Sequence, residues 1–334
     1  MKWYVGIGCF LTVAALVVVF SLLNVDQKHY SNTQTCDVDS DLELVEGGSF
    51  VMGAGAQYPE ETPARLTKVD SFYMSTHEVT NRQFNDFVEA TGYLTVAERA
   101  LEQKDFLGIP KEQLVPGSAV FVKLSEAVEA TTFLNWWHFI EGASWRQPLG
   151  PGSSISDKLD FPVVHIAYED AQAYAKWAGA RLPTEAEFEY ASRNKLEDAK
   201  YATGDSLKLN DQYMANTWQG LFPFNDSAED GFEGLAPVGC YPRNAYGIHD
   251  LIGNVWEWTQ SKYYPRHYQH EEIPEDIRDT GYDPNQPGVS VGVIKGGSFL
   301  CAEDFCMRYR PAARHAQDTG LGTSHIGFRI VKDL

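Results

Sequence analysis

An uncharged apolar segment near the amino terminus divides this chain into two parts of different character. The segment runs from Val5 to Leu23 and contains no charged residue. A helix of this length rises about 28 Å, close to the ~30 Å hydrocarbon core of a bilayer. Lys2 precedes it, and a positive charge on that side favours an amino end that stays cytoplasmic. We predict a short flank at residues 1–4 and a transmembrane signal anchor at residues 5–23, with a cleaved signal peptide as the alternative.

A polar linker and then a globular body follow the apolar segment. Residues 24–41 are rich in Ser, Asn, Gln, Thr and Asp, as linkers are, whereas residues 42–334 have a mixed globular pattern. Cys36 lies in the linker. In an oxidising compartment Cys36 and Cys240 could form a disulfide, although two unpaired thiols fit the sequence equally well.

The charge and motif content of the chain exclude several classes of function. Its 27 basic and 46 acidic residues give a formal net charge of −19. Nucleic acids and anionic membrane surfaces bind clustered Lys and Arg, so we predict that neither is a partner. The chain lacks P-loop, Rossmann, Gly-x-Ser-x-Gly and His-Glu-x-x-His motifs, which disfavours an NTPase, a hydrolase or a zinc protease.

Capping boxes at two positions and an apolar face at a third predict three helices in the globular body. Thr80 and Gln83 are spaced as a capping box, with Gly92 placed to end the helix. A second helix is predicted at 169–178, and a third begins after Thr184, with a glutamate completing its capping box. This third helix carries acidic side chains that could be read as catalytic carboxylates, but acidic residues in a first turn usually match the helix dipole: Glu185, Glu187 and Glu189.

Apolar runs predict strands, and two regions contain histidines of interest. The strands are expected at 43–53 (two strands around a glycine turn), about 65–74, 161–168 and 325–331. His138 lies between aromatic residues and is predicted to be a satisfied, partly buried side chain. His267 and His270 fall in a polar insertion and are predicted to lie on the surface.

Two of the five cysteines lie close together near the carboxyl terminus. Cys301 and Cys306 are five residues apart, which is about 500° on an α-helix, so they would not share a helical face. Gly296 and Gly297 allow an irregular backbone that could bring the thiols together. Paired thiolates suit Cu(I), zinc or iron–sulfur clusters, and the same pair could instead close a small disulfide ring.

The region from 210 to 259 has little periodicity and many glycines, aromatics, Asn and Asp. Such loops suit calcium, which takes carboxylate, amide and main-chain oxygens. Asp250 and Glu257 flank a turn at Gly253 and Asn254, but no EF-hand spacing is present.

A series of motifs runs through the globular body of the chain. They are, in order, GGSFVMG, FYMSTHEVTNRQFNDFV, WRQPLGPGSSI, RLPTEAEFEYASR, NTWQG, EDGFEGLAPV, GNVWEWT, KGGSFLCAEDFCMRYRPAAR and IGFR. In this order the motifs resemble those of the formylglycine-generating enzymes, also called sulfatase-modifying factor enzymes. The resemblance covers about 42–331, and the cysteine pair in its GGSFLCAEDFC setting is the narrower signature. It implies a single compact α+β domain with little regular secondary structure, related to C-type-lectin-like folds.

The resemblance also implies an activity. Members of this family oxidise a cysteine in a Cys-x-Pro-x-Arg segment of unfolded or nascent sulfatase polypeptides to Cα-formylglycine, using O₂ as co-substrate and copper. By this resemblance Cys301 and Cys306 would be catalytic and hold Cu(I), and Ser298 matches a family active-site serine. The catalytic domain would lie outside the cytoplasm, in the periplasm, at the cell exterior or in the endoplasmic reticulum lumen, and be held to the membrane by the amino-terminal helix.

Two structural calcium sites carry over from the family in the same way. The first would use Asn216 and Asp230 by side chain, with Thr217 and Phe232 by main-chain carbonyl. The second would use Asp250 and Glu257 by side chain, with Gly253 and Val255 by carbonyl. Asp250 stands where asparagine is familiar, which keeps an oxygen ligand and adds charge.

The chain departs from the family pattern at several positions. Ala302, Phe305 and His325 stand where animal enzymes have histidine, tyrosine and asparagine. Four further positions lack the cysteines of two animal disulfides: Ala175, Ser192, Pro311 and Ile330.

Two alternative functions remain open from the sequence. One is a non-catalytic binding or assembly protein on the same scaffold, with Cys301–Cys306 as a structural disulfide. The other is a non-haem-iron sulfoxide synthase, whose family adds a helical domain that this chain has no room for.

Overall fold

Two helices of the described residues begin where the sequence places capping side chains. The computed structural model describes residue 36 and residues 42–100, 114–125, 132–196 and 199–334. Both capping boxes, Thr80–Gln83 and Thr184–Glu187, are formed, and Gly92 ends the first helix with a left-handed φ of 68°. All three predicted helices are confirmed, and the first and third start at their capping boxes, whereas the second starts after Ala167, which makes no side-chain cap. The helices of the described residues are α1 (Asn81–Thr91), α2 (Tyr168–Trp177), α3 (Glu185–Ser192) and the short α4 (Glu275–Arg278).

Short strands of the described residues form two sheets and three hairpins. In chain order the strands are β1 (Leu42–Val45), β2 (Gly48–Met52), β3 (Arg65–Val69), β4 (Phe72–Ser75), β5 (Gly117–Phe121), β6 (Trp137–Glu141), β7 (Lys208–Leu209), β8 (Gln212–Tyr213), β9 (Trp256–Lys262), β10 (Val291–Lys295), β11 (His315–Asp318), β12 (Ile326–Gly327) and β13 (Val331–Asp333). One sheet has the order β1-β4-β13 and the other β11-β10-β9-β12, and β12 runs parallel to β9. The hairpins join β2 to β3, β5 to β6 and β7 to β8. This mixture of helices and mostly antiparallel strands confirms the α+β class, whereas the relation to C-type-lectin-like folds stays a prediction.

The strand predicted at 161–168 is wrong. The segment is largely buried, but the Val163 N–H donates to the Val79 carbonyl and the His165 N–H to the Thr323 carbonyl, each at 2.9 Å, without a regular ladder. His165 has a left-handed φ of 62°, which interrupts an extended strand. Its apolar side chains Val163 and Ile166 nevertheless lie in the main core, packed with residues of helices and strands from elsewhere in the chain.

Two predicted strands are divided in the structure. The segment at 65–74 becomes β3 and most of β4, separated by a bend, and β1 and β2 pair with β4 and β3 rather than with each other. The segment at 325–331 becomes β12 and the start of β13, which belong to different sheets. Arg329, fully buried, lies between them.

The glutamates of α3 are paired with buried cations. Glu189 Oε2 is 3.1 Å from Lys295 Nζ, and Glu185 Oε1 is 2.6 Å from Arg314 Nε. The third glutamate completes the capping box. His267 is also buried, 3.6 Å from Glu185, so its predicted surface position is wrong. These side chains stabilise the fold rather than form a catalytic carboxylate pair.

The structure tests the predictions for Cys36, Cys240 and His138, whereas the predictions for the amino-terminal segments and His270 fall outside the described residues. Cys36 and Cys240 form a disulfide, which resolves the two alternatives for this pair. His138 is exposed on β6, so its predicted partial burial is wrong. Within the described residues no helix is long and apolar enough to cross a bilayer. The flank at 1–4, the anchor at 5–23, the linker other than Cys36 and the side chain of His270 fall outside them.

The main core fixes the segment that carries the two carboxy-terminal cysteines. Trp145 and Trp258 lie at its centre, and Cys301 and Tyr309 belong to the same buried cluster. β10 is buried along its whole length and ends at Lys295, which is fully buried in its ion pair. The loop that follows is therefore anchored in the core on both sides.

Candidate active site

A double-glycine turn directs the chain from β10 into the cysteine loop, residues 298–306. Gly296 and Gly297 have φ of 93° and 78°, a region that disfavours side chains. A Cβ on Gly297 would lie 2.9 Å from Tyr309 N and 3.0 Å from Arg308 O. The two glycines thus allow the start of the loop to pass against the backbone that follows it.

Two successive turns bring the cysteines of the loop together. The Cys301 N–H donates to the Ser298 carbonyl and the Cys306 N–H to the Ala302 carbonyl, each at 2.9 Å. The sulfur atoms are 3.1 Å apart, longer than the roughly 2.05 Å of a disulfide bond, and both residues are free cysteines. An irregular backbone thus brings the two thiols into contact, as their spacing and the two glycines indicate.

The two thiols have opposite acidities. Cys301 is buried, and burial raises its pKa well above the usual value. The pKa of Cys306 is lowered to about 6, first because it accepts a hydrogen bond from the Cys301 thiol and further because of the Arg308 guanidinium. At neutral pH Cys306 is therefore the thiolate and Cys301 the thiol donor.

Arg308 is a site residue that the sequence reasoning did not identify. Its Nη1 lies 4.0 Å from Cys306 Sγ, and its Nη2 donates to Glu60 Oε1 at 2.7 Å. The guanidinium also lies over the Tyr58 ring, 4.0 Å from its centroid. A basic residue two positions after the second cysteine was the available signal, since cations stabilise nearby thiolates.

Ser298 lies in the first turn of the cysteine loop and is fully buried. Its Oγ accepts the Leu300 N–H at 3.2 Å and its carbonyl accepts the Cys301 N–H. The structure therefore places all three predicted catalytic residues in one loop.

Aromatic side chains form a wall beside the second cysteine. Phe305 is 53% exposed and stacks on Phe222, with centroids 4.3 Å apart and 12° between planes. Trp136 meets Phe305 edge-on at 5.8 Å, and Ala302 is buried in the same aromatic cluster. A half-exposed aromatic surface of this kind suits an apolar part of a peptide.

The structure brings together the four residues of the first candidate calcium site. Asp230 Oδ2 accepts the Thr217 N–H and the Gln219 side-chain amide, both at 2.8 Å, and its Oδ1 accepts the Phe232 N–H at 3.2 Å. Burial raises the pKa of Asp230 to about 6. Within the described residues Asn216 Oδ1 is buried and has no hydrogen-bond partner. A partly buried carboxylate that binds the Thr217 N–H, together with the unpartnered amide oxygen of the preceding Asn216, offers the oxygen ligands that calcium takes.

The second candidate calcium site combines a left-handed turn with buried charge. Asp250 and Gly253 have φ of 55° and 82°. Asp250 Oδ2 accepts a main-chain N–H at 2.7 Å, whereas its Oδ1 is buried without a partner among the described residues. Glu257 is held by Arg329, with Nε and Nη2 at 2.7 and 2.8 Å from its two oxygens. Each carboxylate oxygen keeps a further lone pair, so the donor set, completed by the carbonyls of Gly253 and Val255, fits calcium.

Metal binding at these two sites would depend on amide and main-chain carbonyl oxygens in addition to carboxylates. No group of three or more His, Cys, Asp or Glu side chains in the described part of the chain converges as a metal site. Calcium accepts such mixed oxygen sets, unlike metals that need several side-chain nitrogens or sulfurs.

The fold and site define a mixed α+β protein whose cysteine loop presents a thiol–thiolate pair, with oxygen-lined loops nearby. The family described as sulfatase-modifying factor enzyme 1-like domain matches residues 28–334, and the chain belongs to this family.

Known relatives cover nearly the whole chain. A formylglycine-generating enzyme from Mycobacterium tuberculosis is 46% identical over 293 residues, 87% of this chain and 98% of that protein. A Bos taurus protein named inactive C-alpha-formylglycine-generating enzyme 2 is 40% identical over 324 residues, 96% of this chain and 95% of that protein. The structure of PvdO from Pseudomonas aeruginosa shares the fold, with a TM-score of 0.56, 20% identity and coverage of 88% and 94% of the two chains.

Proposed function

We propose that this chain oxidises a cysteine in a Cys-x-Pro-x-Arg segment of an unfolded or nascent sulfatase to Cα-formylglycine and thereby activates the sulfatase. Relatives named formylglycine-generating enzyme, such as the one from Mycobacterium tuberculosis, support cysteine oxidation as the reaction class. The observation that carries the proposal is the pair of free thiols, 3.1 Å apart, in the cysteine loop.

The two sulfurs are a suitable donor set for Cu(I), because soft thiolates prefer soft metals. When bound, Cu(I) would hold the substrate thiolate and would reduce the co-substrate O₂. The protein's own groups prepare this site. Arg308 and the Cys301 thiol keep Cys306 ionised, and the double-glycine turn holds the loop in place.

The substrate peptide would lie along the aromatic wall formed by Phe305, Phe222 and Trp136. One hydrogen from the substrate Cβ and one from its thiol pass, with their two electrons, to O₂, and water then converts the resulting thioaldehyde to the aldehyde with release of H₂S. Ser298, at the base of the turn, would position the reacting groups. Ala302 and Phe305 lie in the cysteine loop itself, whereas His325 packs against Trp137, and none of the three changes removes a thiol.

Calcium, membrane attachment and location complete the proposal. The two candidate calcium sites would stabilise the loops around 216–257. The segment at 5–23 would anchor the chain, with the catalytic domain outside the cytoplasm. The Cys36–Cys240 disulfide supports an oxidising compartment, where such bonds persist.

A second candidate function is a non-catalytic binding protein on the same scaffold. One relative, from Bos taurus, has the word inactive in its name, and its match covers 96% of this chain. This relative supports the non-catalytic alternative. The arrangement of the cysteines weighs against it, because this alternative expects a Cys301–Cys306 disulfide and both residues are free in the structure.

Mass spectrometry of a Cys-x-Pro-x-Arg peptide tests the proposed reaction. The full-length protein is incubated with the peptide, Cu(I) and air, and we expect the substrate CH₂SH group to become an aldehyde or its hydrate. Cys301→Ser and Cys306→Ser should each abolish conversion. The matched control is Cys36→Ser/Cys240→Ser, which removes two sulfurs outside the site and should retain conversion. No conversion by the folded, copper-supplied protein would favour the binding scaffold.

A further inference from the structure

A buried cluster of charges around Arg329 contains more acid than base. Glu78, Asp250 and Glu257 contribute three carboxylates to one guanidinium, and all four side chains are buried. Arg329 gives two short hydrogen bonds to Glu257, which leaves Glu78 Oε2 at 3.9 Å from Arg329 Nη2. With all three acids ionised the cluster would have a net charge of −2, which one divalent cation would balance.

Three oxygens in and beside this cluster lack hydrogen-bond partners among the described residues. They are Glu78 Oε2, Asp250 Oδ1 and Asn216 Oδ1, and each is buried. A buried acceptor left unpaired is costly, more so when it carries charge. Asn216 and Asp250 belong to the first and second candidate calcium sites, whereas Glu78 has no role in either.

Asn254 connects the two candidate calcium sites directly. Its N–H donates to the Asn216 carbonyl at 2.8 Å, and its Oδ1 accepts the Asn216 side-chain amide at 3.1 Å. Its own Nδ2 donates to Glu78 Oε1 at 3.0 Å. Asn254 stands between Gly253 and Val255, whose carbonyls are candidates for the second site, and it has a left-handed φ of 53°.

We propose that Asn254 and Glu78 join the two candidate calcium sites into one unit, so that calcium at either site raises the affinity of the other. The proposal rests on the calcium sites of the proposed function. A cation at the first site would fix Asn216, and Asn216 would fix the turn that presents the carbonyls of the second site. Glu78 is a positioning residue that orients Asn254 and adds negative charge near the second cation.

Calcium titration calorimetry of the full-length protein, after removal of metal by a chelator, measures the coupling. Asp230→Asn weakens the first site, and in the otherwise native chain we expect it to lower the calcium affinity of the second site by about ten-fold, within the usual range of coupling between sites. Asn254→Gly keeps the main-chain N–H and tolerates positive φ, but it removes the bridging side chain. In that background Asp230→Asn should leave the second site unchanged.

The variant Glu78→Gln distinguishes the effect of the Glu78 charge from the effect of the hydrogen bond that Glu78 accepts from Asn254. It retains an oxygen for Asn254 but, unlike the carboxyl group of Glu78, it cannot ionise when a cation binds nearby, so we expect weaker calcium binding at the second site. Glu187→Gln is the matched control, because glutamine also completes a capping box and Glu187 lies in the α3 cap rather than in the calcium loops. It should bind calcium like the native protein. Circular dichroism in chelator establishes that each variant is folded.

The outcomes separate this inference from the proposed reaction. If Asp230→Asn leaves the second site unchanged in the native background, or if folded Glu78→Gln binds calcium as the native protein does, the inference is overturned. Peptide conversion by the same preparations reports on the oxidase activity independently. If no calcium binds, both the calcium sites and their coupling are refuted, whereas conversion of the peptide would leave the proposed oxidation standing.

Discussion

Replacing Arg310 should destabilise the protein far more than replacing an exposed arginine. Arg310 Nη2 and Nη1 lie 2.5 and 3.1 Å from the two Glu61 oxygens, and the side chains are 1% and 0% exposed. Arg310→Met leaves the Glu61 carboxylate buried without its cation, which costs about 3–5 kcal/mol. The Arg310 Nε also donates to the Met307 carbonyl at 2.7 Å, next to Cys306, so peptide conversion should fall as well.

The assay is urea unfolding followed by tryptophan fluorescence, with an exposed pair as control. Arg82 and Asp160 are 2.9 Å apart but 54% and 71% exposed, so Arg82→Met should cost only about 0–1 kcal/mol. A double substitution, Glu61→Leu with Arg310→Met, removes both charges together. It should cost at least about 2 kcal/mol less than the sum of the single changes, because neither charge is left alone.

The reasoning is refuted if Arg310→Met costs no more than Arg82→Met. It is also refuted if the two single changes and the double change are additive, because additive costs would mean that Arg310 and Glu61 do not interact.

Two further predictions concern the cysteines. In metal-free protein the pKa of Cys306 is lowered to about 6, so at pH ~6 half of the Cys306 side chains are reactive thiolates. Arg308→Gln should raise this pKa by about one unit. At pH ~6 the labelling of Cys306 by iodoacetamide should then be about five-fold slower. An unchanged pH–rate profile in this variant would contradict the role of the guanidinium. In protein isolated from its host, non-reducing peptide mapping should recover Cys36 linked to Cys240. Recovery of both as free thiols would contradict an extracytoplasmic location.

Local signals in the sequence determined several features correctly. The capping boxes at Thr80 and Thr184 predicted the starts of α1 and α3, because a cap involves residues three apart in the chain. The spacing of Cys301 and Cys306 behind two glycines indicated a loop, since a helix would separate the thiols. The residues of both candidate calcium sites, carried over from the family motifs, stay a prediction.

Partners that lie far apart in the chain were decided only by the tertiary structure. An apolar run such as 161–168 indicates that a segment is buried. Whether its backbone pairs as a regular strand depends on residues elsewhere in the chain. His267 was predicted to be exposed, yet it lies in the interior beside Glu185. The pairing of Arg308 with Glu60 spans 248 positions, and that of Asn254 with Glu78 spans 176.

The sequence by itself therefore determined the family, the helix starts and the residue types available for chemistry. Only the tertiary structure decided which thiol is ionised, which carboxylates are paired and which oxygens remain without partners. The physical reason is that propensity and capping act within a few residues, whereas burial and ion pairing depend on the position of the whole chain.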